Sequence, residues 1–283
     1  MSDASVDTDN YCYRHPDRQS FVLCQRCGRT ICGECQTQAA VGVHCPECTR
    51  EARQSAPRSK PVIVKTFNRA RRSGGPVVTW SIIGLTALVY LLQLVSGGAV
   101  ITALAYWPPL TLIEPWRILT TMLVHSEQSF LHILFNMYSL YIFGRILEQV
   151  LGRWRFLALY LISGLGGSIA VLLLAPSISV VGASGAIFGL LGAFFVIQRR
   201  LGGNNLQLVV VIGLNLVIGF VVPGIAWQAH VGGLIAGALV ALVYLKTRRP
   251  AQKNTQLLLL GALVLLLVVV AAIGYATLPY RYF

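Results

Sequence analysis

Ser184, His230, His132 and Asn136 are the residues of this chain whose types and spacing could do chemistry. Ser184 sits in Gly182-Ala183-Ser184-Gly185, at the start of a strongly apolar segment. A serine hydroxyl becomes a nucleophile when a neighbouring base takes its proton, and imidazole is the usual base. His230 opens a later apolar segment. His132 and Asn136 open an earlier one, and their i, i+4 spacing puts them on one helix face. Side-chain N–H donors grouped in this way suit an oxyanion hole. The Ser184 backbone N–H, near a helix start, would be a third donor. A lone serine among small residues is ordinary helix packing, and a lone His–Asn pair is an ordinary interhelical bond. Their joint placement is what points to a site, because polar groups inside a membrane are costly and mark function by default.

The elements that must position these groups are membrane spans. The chain has 283 residues, 55% of them hydrophobic and only 12% charged. Apolar runs of about 20 residues predict transmembrane helices at 77–97, 130–151, 156–175, 179–198, 206–223, 226–245 and 256–277. No secretory signal is expected before them, since the first 60 residues are polar and cysteine-rich. The expected organisation is a disordered start (1–10), a metal-binding segment (11–50) and a basic linker (51–76). A six-helix core (77–245) and a stretch with a seventh helix and a short tail (246–283) follow.

Basic residues set the orientation. They collect before the first span (Lys65, Arg69, Arg71, Arg72) and after the second (Arg145, Arg153, Arg155). They recur after the fourth (Arg199, Arg200) and the sixth (Lys246, Arg248, Arg249, Lys253). The other side carries only Arg117 and Arg281. The positive-inside rule then predicts a multi-pass protein of the cell membrane, with the amino terminus cytoplasmic and the carboxyl terminus external. The formal charge of +13 is explained by this topology, so no nucleic-acid partner is expected. His132, Ser184 and His230 each fall in the first two turns of a span running inward. At about 1.5 Å per residue they share one depth, within roughly 10 Å of the outer edge of the hydrocarbon.

Glycines at helical spacing, Gly182, Gly185, Gly189 and Gly192 in one span and Gly232, Gly233 and Gly237 in another, let two backbones approach closely. A serine and a histidine need that closeness to reach about 3 Å. No aspartate follows Asp17, and Glu148 lies at the cytoplasmic end of its span. Glu114 and Glu127 lie in the outer loop and stay open as a third member. The reading is therefore a Ser–His dyad, with Phe188, one turn beyond Ser184, available to stack. The pattern is not the hydrolase G-x-S-x-G elbow, because position 186 is alanine.

All seven cysteines lie in residues 11–50, as Cys12-x2-His15, Cys24-x2-Cys27, Cys32-x2-Cys35 and Cys45-x2-Cys48. Four ligand pairs at this spacing are what two tetrahedral zinc sites need. Disulfides are disfavoured by the cytoplasmic placement, and a thioredoxin-like CxxC would need a βαβ setting. Gly28 suits the tight turn after the second pair. His44 is a further candidate, left out because its neighbouring pair is already complete. The order of pairs resembles a B-box-type zinc finger. That resemblance implies alternate pairing: Cys12, His15, Cys32 and Cys35 on one zinc, and Cys24, Cys27, Cys45 and Cys48 on the other.

The membrane residues resemble the rhomboid family of intramembrane serine proteases. Trp116-Arg117 matches its WR motif, His132-Ile-Leu-Phe-Asn136 its HxxxN, and Gly182-Ala-Ser-Gly185 its GxSG. Ala229-His230-x-x-Gly233-x-x-x-Gly237 matches its AHxxGxxxG. The resemblance implies an all-α polytopic fold with Ser184 as nucleophile, His230 as base, and His132, Asn136 and the Ser184 N–H on the oxyanion. It implies a transmembrane-helix substrate, cleaved near its outer end, and no cofactor for catalysis. Phe188 stands where some members have tyrosine, and the seventh helix and the zinc finger are additions to the six-helix core.

Two other readings compete. A non-enzymatic adaptor would bind client helices and recruit a cytoplasmic partner through the zinc finger, but has no need for both Ser184 and His230. A polar-solute transporter would need ion-binding groups at the midplane and paired inverted repeats.

Overall fold

The computed structural model describes residues 10–39, 41–55, 75–203, 205–222 and 224–278. The expected disordered start up to residue 9, the linker from 56 to 74 and the tail from 279 lie outside the described residues. The chain divides into two compact units, Met1–Pro61 and Val62–Phe283.

In the first unit, β1 (Tyr11–Cys12) pairs antiparallel with β2 (His15–Gln19), and β3 (Thr37–Gln38) with β4 (Val43–His44). α1 (Pro46–Ser55) follows. The hairpin register sets Cys12 opposite His15. Gly28 adopts φ +74° directly after the second pair, where its N–H bonds the Cys24 carbonyl. Only glycine takes this turn without strain. Apart from Ile31, the buried apolar residues of this unit are, among the described residues, cysteines. So small an apolar core cannot support a fold unaided.

The second unit is helical. Its elements are α2 (Val77–Val95), α3 (Ala99–Leu104), α4 (Arg117–Thr120), α5 (Phe130–Ser139), α6 (Arg145–Leu151), α7 (Arg153–Leu174), α8 (Ser184–Arg200), α9 (Leu206–Val221), α10 (Trp227–Lys246) and α11 (Lys253–Ala276). A π-helical turn, Leu140–Gly144, joins α5 to α6. Leucine, valine and isoleucine dominate the long helices, and in lipid only internally bonded backbone survives. Gly152, at φ +87°, separates α6 from α7. Among the described residues, five segments are long and apolar enough to cross a membrane: Val77–Val95, Phe130–Leu151, Arg153–Leu174, Trp227–Lys246 and Pro250–Ala276.

The other two predicted spans also form helices, but shorter ones. α8 has 17 residues and α9 has 16. The start of α8 differs from the expected residue 179. The residues before Ser184 are instead held out of the helix, because Val180 pairs with Tyr106 through two hydrogen bonds of 2.9 and 3.1 Å and Gly182 turns the chain at φ +118°.

α7, α8 and α10 form the centre, and glycine makes their contacts. A Cβ on Gly233 would lie 1.9 Å from the Gly185 carbonyl oxygen, and one on Gly237 would lie 2.1 Å from that of Gly189. α11 lies on α7 through Ala271 and Gly274, against Leu172 and Leu173. At its other end Gln256 accepts from Arg155 Nε and donates to the Thr247 carbonyl and hydroxyl. The Glu148 carboxylate accepts from the Val78 and Thr79 N–H groups and the Thr79 hydroxyl, which caps the start of α2. Large apolar side chains such as Leu91, Val221 and Leu258 face outward, as lipid-facing surface does.

Candidate functional site

The run before α8 delivers Ser184. Gly182 stands at φ +118°, and its N–H bonds the Thr121 carbonyl at 3.0 Å. The Thr121 hydroxyl donates to the Val180 carbonyl at 2.7 Å. That carbonyl is one turn before Ser184 and is already taken by Tyr106 N and Thr121 Oγ1. The Ser184 N–H is therefore a first-turn donor without its helical acceptor, at the positive end of the α8 dipole.

His230, in the first turn of α10, sets its Nε2 2.9 Å from Ser184 Oγ. The imidazole lies flat on Phe188, with ring centroids 4.1 Å apart and planes at 8°. Its Nδ1 is buried and, among the described residues, has no hydrogen-bond partner. Gly219 of α9 packs over it: a Cβ there would lie 3.5 Å from Nδ1. Glu114 pairs with Arg117, and Glu127 accepts from Gln93. Neither glutamate left open as a third member is thus bonded to His230. The imidazole is oriented by packing, which is enough for a Ser–His pair to exchange a proton.

His132 and Asn136 share one face of α5, as expected. His132 Nδ1 accepts the Ser126 backbone N–H at 3.2 Å. A neutral imidazole accepting at Nδ1 carries its proton on Nε2. That nitrogen lies over Gly182, where a Cβ would approach it to 2.8 Å. Glycine is thus required at 182 by space as well as by φ. Asn136 is buried, and its Nδ2 donates to the His132 carbonyl at 2.8 Å, leaving one amide N–H for another acceptor. Trp116 and Arg117 are not part of this cluster. Arg117 is buried, donating to the Thr102 and Ala105 carbonyls, and Trp116 Nε1 bonds the Ala103 carbonyl at 3.3 Å. The pair ties α4 to the end of α3.

Sequence reasoning missed Thr121, which holds the run before Ser184 through its hydroxyl and its carbonyl, and Ser126 and Gly219, which contribute a backbone N–H and the absence of a side chain. The structure buries His125 completely, with its ring 5.2 Å from that of His132.

The first unit holds two ligand clusters: Cys12, His15, Cys32 and Cys35, and Cys24, Cys27, Cys45 and Cys48. Within each, the ligand atoms lie within 4.8 Å of one another. Cys27 and Cys45 Sγ are 3.8 Å apart, and His15 Nδ1 lies 3.4 Å from both Cys32 and Cys35 Sγ. A tetrahedral ion with bonds of about 2.3 Å to sulfur and 2.0 Å to nitrogen gives edges of roughly 3.5–3.8 Å. Disulfides would bring the sulfurs to about 2.05 Å. The donors therefore fit a thiolate-binding metal. Burial first, then neighbouring thiols, pushes Cys35 up to about 11 and Cys48 up to about 12. Burial opposes ionisation of Cys12 and Cys24 as well, but backbone N–H groups outweigh it and hold both at about 6. The three thiols of one cluster and the four of the other cannot all ionise unless a cation replaces their protons. His44 pairs with Thr37 across β3 and β4 and lies outside both clusters.

Residues 113–247 match the family model described as Rhomboid domain. The chain is 35% identical over 191 residues to "Rhomboid protease GluP" of Bacillus subtilis (strain 168), covering 62% of this chain and 36% of GluP. It is 40% identical over 140 residues to "RHOMBOID-like protein 6, mitochondrial" of Arabidopsis thaliana, covering 47% of this chain and 44% of that one. The chain thus spans less than half the length of these two relatives. With YdcA of Bacillus subtilis (strain 168) it shares 34% identity over 178 residues, which is 59% of this chain and 88% of YdcA. With its helical fold and a relative matched over nearly all of its length, the chain belongs to the rhomboid family.

Proposed function

We propose that this protein is an intramembrane serine endopeptidase that cleaves transmembrane helices of other membrane proteins near their outer end. The observation that carries the reading is the 2.9 Å approach of His230 Nε2 to Ser184 Oγ, with His132 Nε2 lying over the neighbouring Gly182. With its proton on Nδ1, neutral His230 accepts the Ser184 proton at Nε2 as Oγ attacks the scissile carbonyl carbon. The carbonyl oxygen becomes an oxyanion, held by the His132 Nε2–H, the remaining Asn136 amide N–H and the Ser184 N–H. His230 then protonates the leaving amine. Later it takes a proton from water, which attacks the acyl-enzyme and releases Ser184. Phe188 keeps the imidazole in plane throughout. Helical backbone is already hydrogen-bonded, so the substrate must unwind at the bond, which favours small or helix-breaking residues there.

The amino-terminal unit is proposed to hold two structural zinc ions, one on each four-residue cluster, that cross-link a unit lacking a core. The distribution of basic residues supports a cytoplasmic side for this unit and an outer side of the cell membrane for the site. Recruitment of a cytoplasmic partner through this unit stays the reading in which the chain is an adaptor.

The test is cleavage of a transmembrane substrate by purified protein in detergent. Wild type cleaves and takes up a fluorophosphonate probe. Ser184→Ala and His230→Ala each abolish cleavage, and Ser184→Ala abolishes labelling. Cleavage by Ser184→Ala at the wild-type rate refutes the assignment and favours the adaptor.

A further inference from the structure

Gln93 is a fully buried primary amide in the last turn of α2, distant in sequence from every motif residue. Such a group is costly in a membrane span unless it is fully bonded. Its Oε1 accepts the His125 N–H at 3.1 Å. Its Nε2 donates to the His125 carbonyl at 2.6 Å and to Glu127 Oε1 at 3.1 Å. The amide thus brackets the backbone of one residue as a neighbouring strand would. Its orientation is fixed, because only an oxygen can face the His125 N–H. The next residue in the bracketed loop is Ser126, whose N–H bonds His132 Nδ1.

We propose that Gln93 is a positioning residue for His132, pinning the 125–127 loop so that the Ser126 N–H holds the imidazole as the Nε2–H tautomer. The inference rests on the protease reading, in which that Nε2–H donates to the oxyanion. Without Gln93 the buried His125 N–H and carbonyl lose their partners, and the loop shifts to recover them. The Ser126 N–H then leaves Nδ1. The imidazole proton is free to move from Nε2 to Nδ1, which turns a lone pair toward Gly182 where a donor stood. An oxyanion there meets repulsion in place of a hydrogen bond.

The test pairs kinetics with spectroscopy on the full chain in detergent. Gln93→Leu should lower kcat by about 10²-fold, the loss of one oxyanion donor, with KM within about 2-fold. On a His132→Ala background the same change should cost less than about 3-fold, because the residue it acts through is gone. In protein labelled with 15N-histidine, wild-type His132 should show a protonated Nε2 and a bare Nδ1, and Gln93→Leu should lose that pattern. Effects that multiply across the two backgrounds overturn the proposal. So does a wild-type His132 protonated on Nδ1, a reading that needs no folded variant. Wild type that cleaves nothing would refute the protease reading, while the tautomer measurement would still decide the role of Gln93.

Discussion

Gly233→Ala should disable cleavage without touching a reacting group. Its Cβ would lie 1.9 Å from the Gly185 carbonyl oxygen and 2.7 Å from the carbonyl carbon. Both belong to helix backbone, which cannot rotate away. Real contacts of this kind stay beyond 3.0 Å, so α10 must back off from α8 by about 1 Å. Gly185 adjoins Ser184, and Gly233 lies one turn beyond His230, so the displacement passes directly to the pair. The present 2.9 Å between Nε2 and Oγ would open to roughly 4 Å, beyond hydrogen-bond reach. A misplacement of about 1 Å costs about 10²-fold in rate, and overpacking adds about 1–3 kcal/mol of instability. Gly261→Ala on α11 is the control, because nothing lies within 4 Å of its Cβ position. It should be neutral or slightly stabilising, by up to about 1 kcal/mol. The assay is cleavage of a transmembrane substrate in detergent, with thermal unfolding in parallel. A folded Gly233→Ala variant cleaving within about 3-fold of wild type would refute the claim that close backbone contact sets the dyad.

Asn136→Ala should leave a trace of cleavage, since losing one oxyanion donor costs about 10²–10³ in rate; activity equal to wild type would remove Asn136 from the site. The full chain should carry two zinc ions by elemental analysis, and Cys12→Ser and Cys24→Ser should each lose one; a chain carrying none dismisses the metal reading. Chelator should unfold residues 10–55 and leave cleavage in detergent largely intact, because the reacting groups lie in the other unit. Glu148→Gln should weaken the cap on α2 and cost about 1–3 kcal/mol, as charge-assisted hydrogen bonds do; an unchanged unfolding midpoint would show that the clasp stabilises nothing.

The stacking of Phe188 on His230 was legible from one helical turn of spacing, and it forms as that spacing implies. The pairing of zinc ligands was legible only through a family pattern: the spacing of Cys12 and His15 names a pair, not its partner pair. The burial of His125, with its ring 5.2 Å from that of His132, was not legible, because spacing in a loop does not say which way the loop folds.

The sequence by itself pointed to the residues whose types and spacing could do chemistry and to the long apolar segments. Both follow from strong local costs: a charge or amide in lipid must justify itself, and metal ligands need fixed short spacings. Only the tertiary structure decided how the groups are placed. The Val180–Tyr106 pairing ends α8 at Ser184 and frees its N–H, and the Ser126 N–H selects the His132 tautomer. Gln93 reaches across from α2 to hold that loop. These are backbone donors and close approaches, which have no residue signature and exist only once particular helix faces meet.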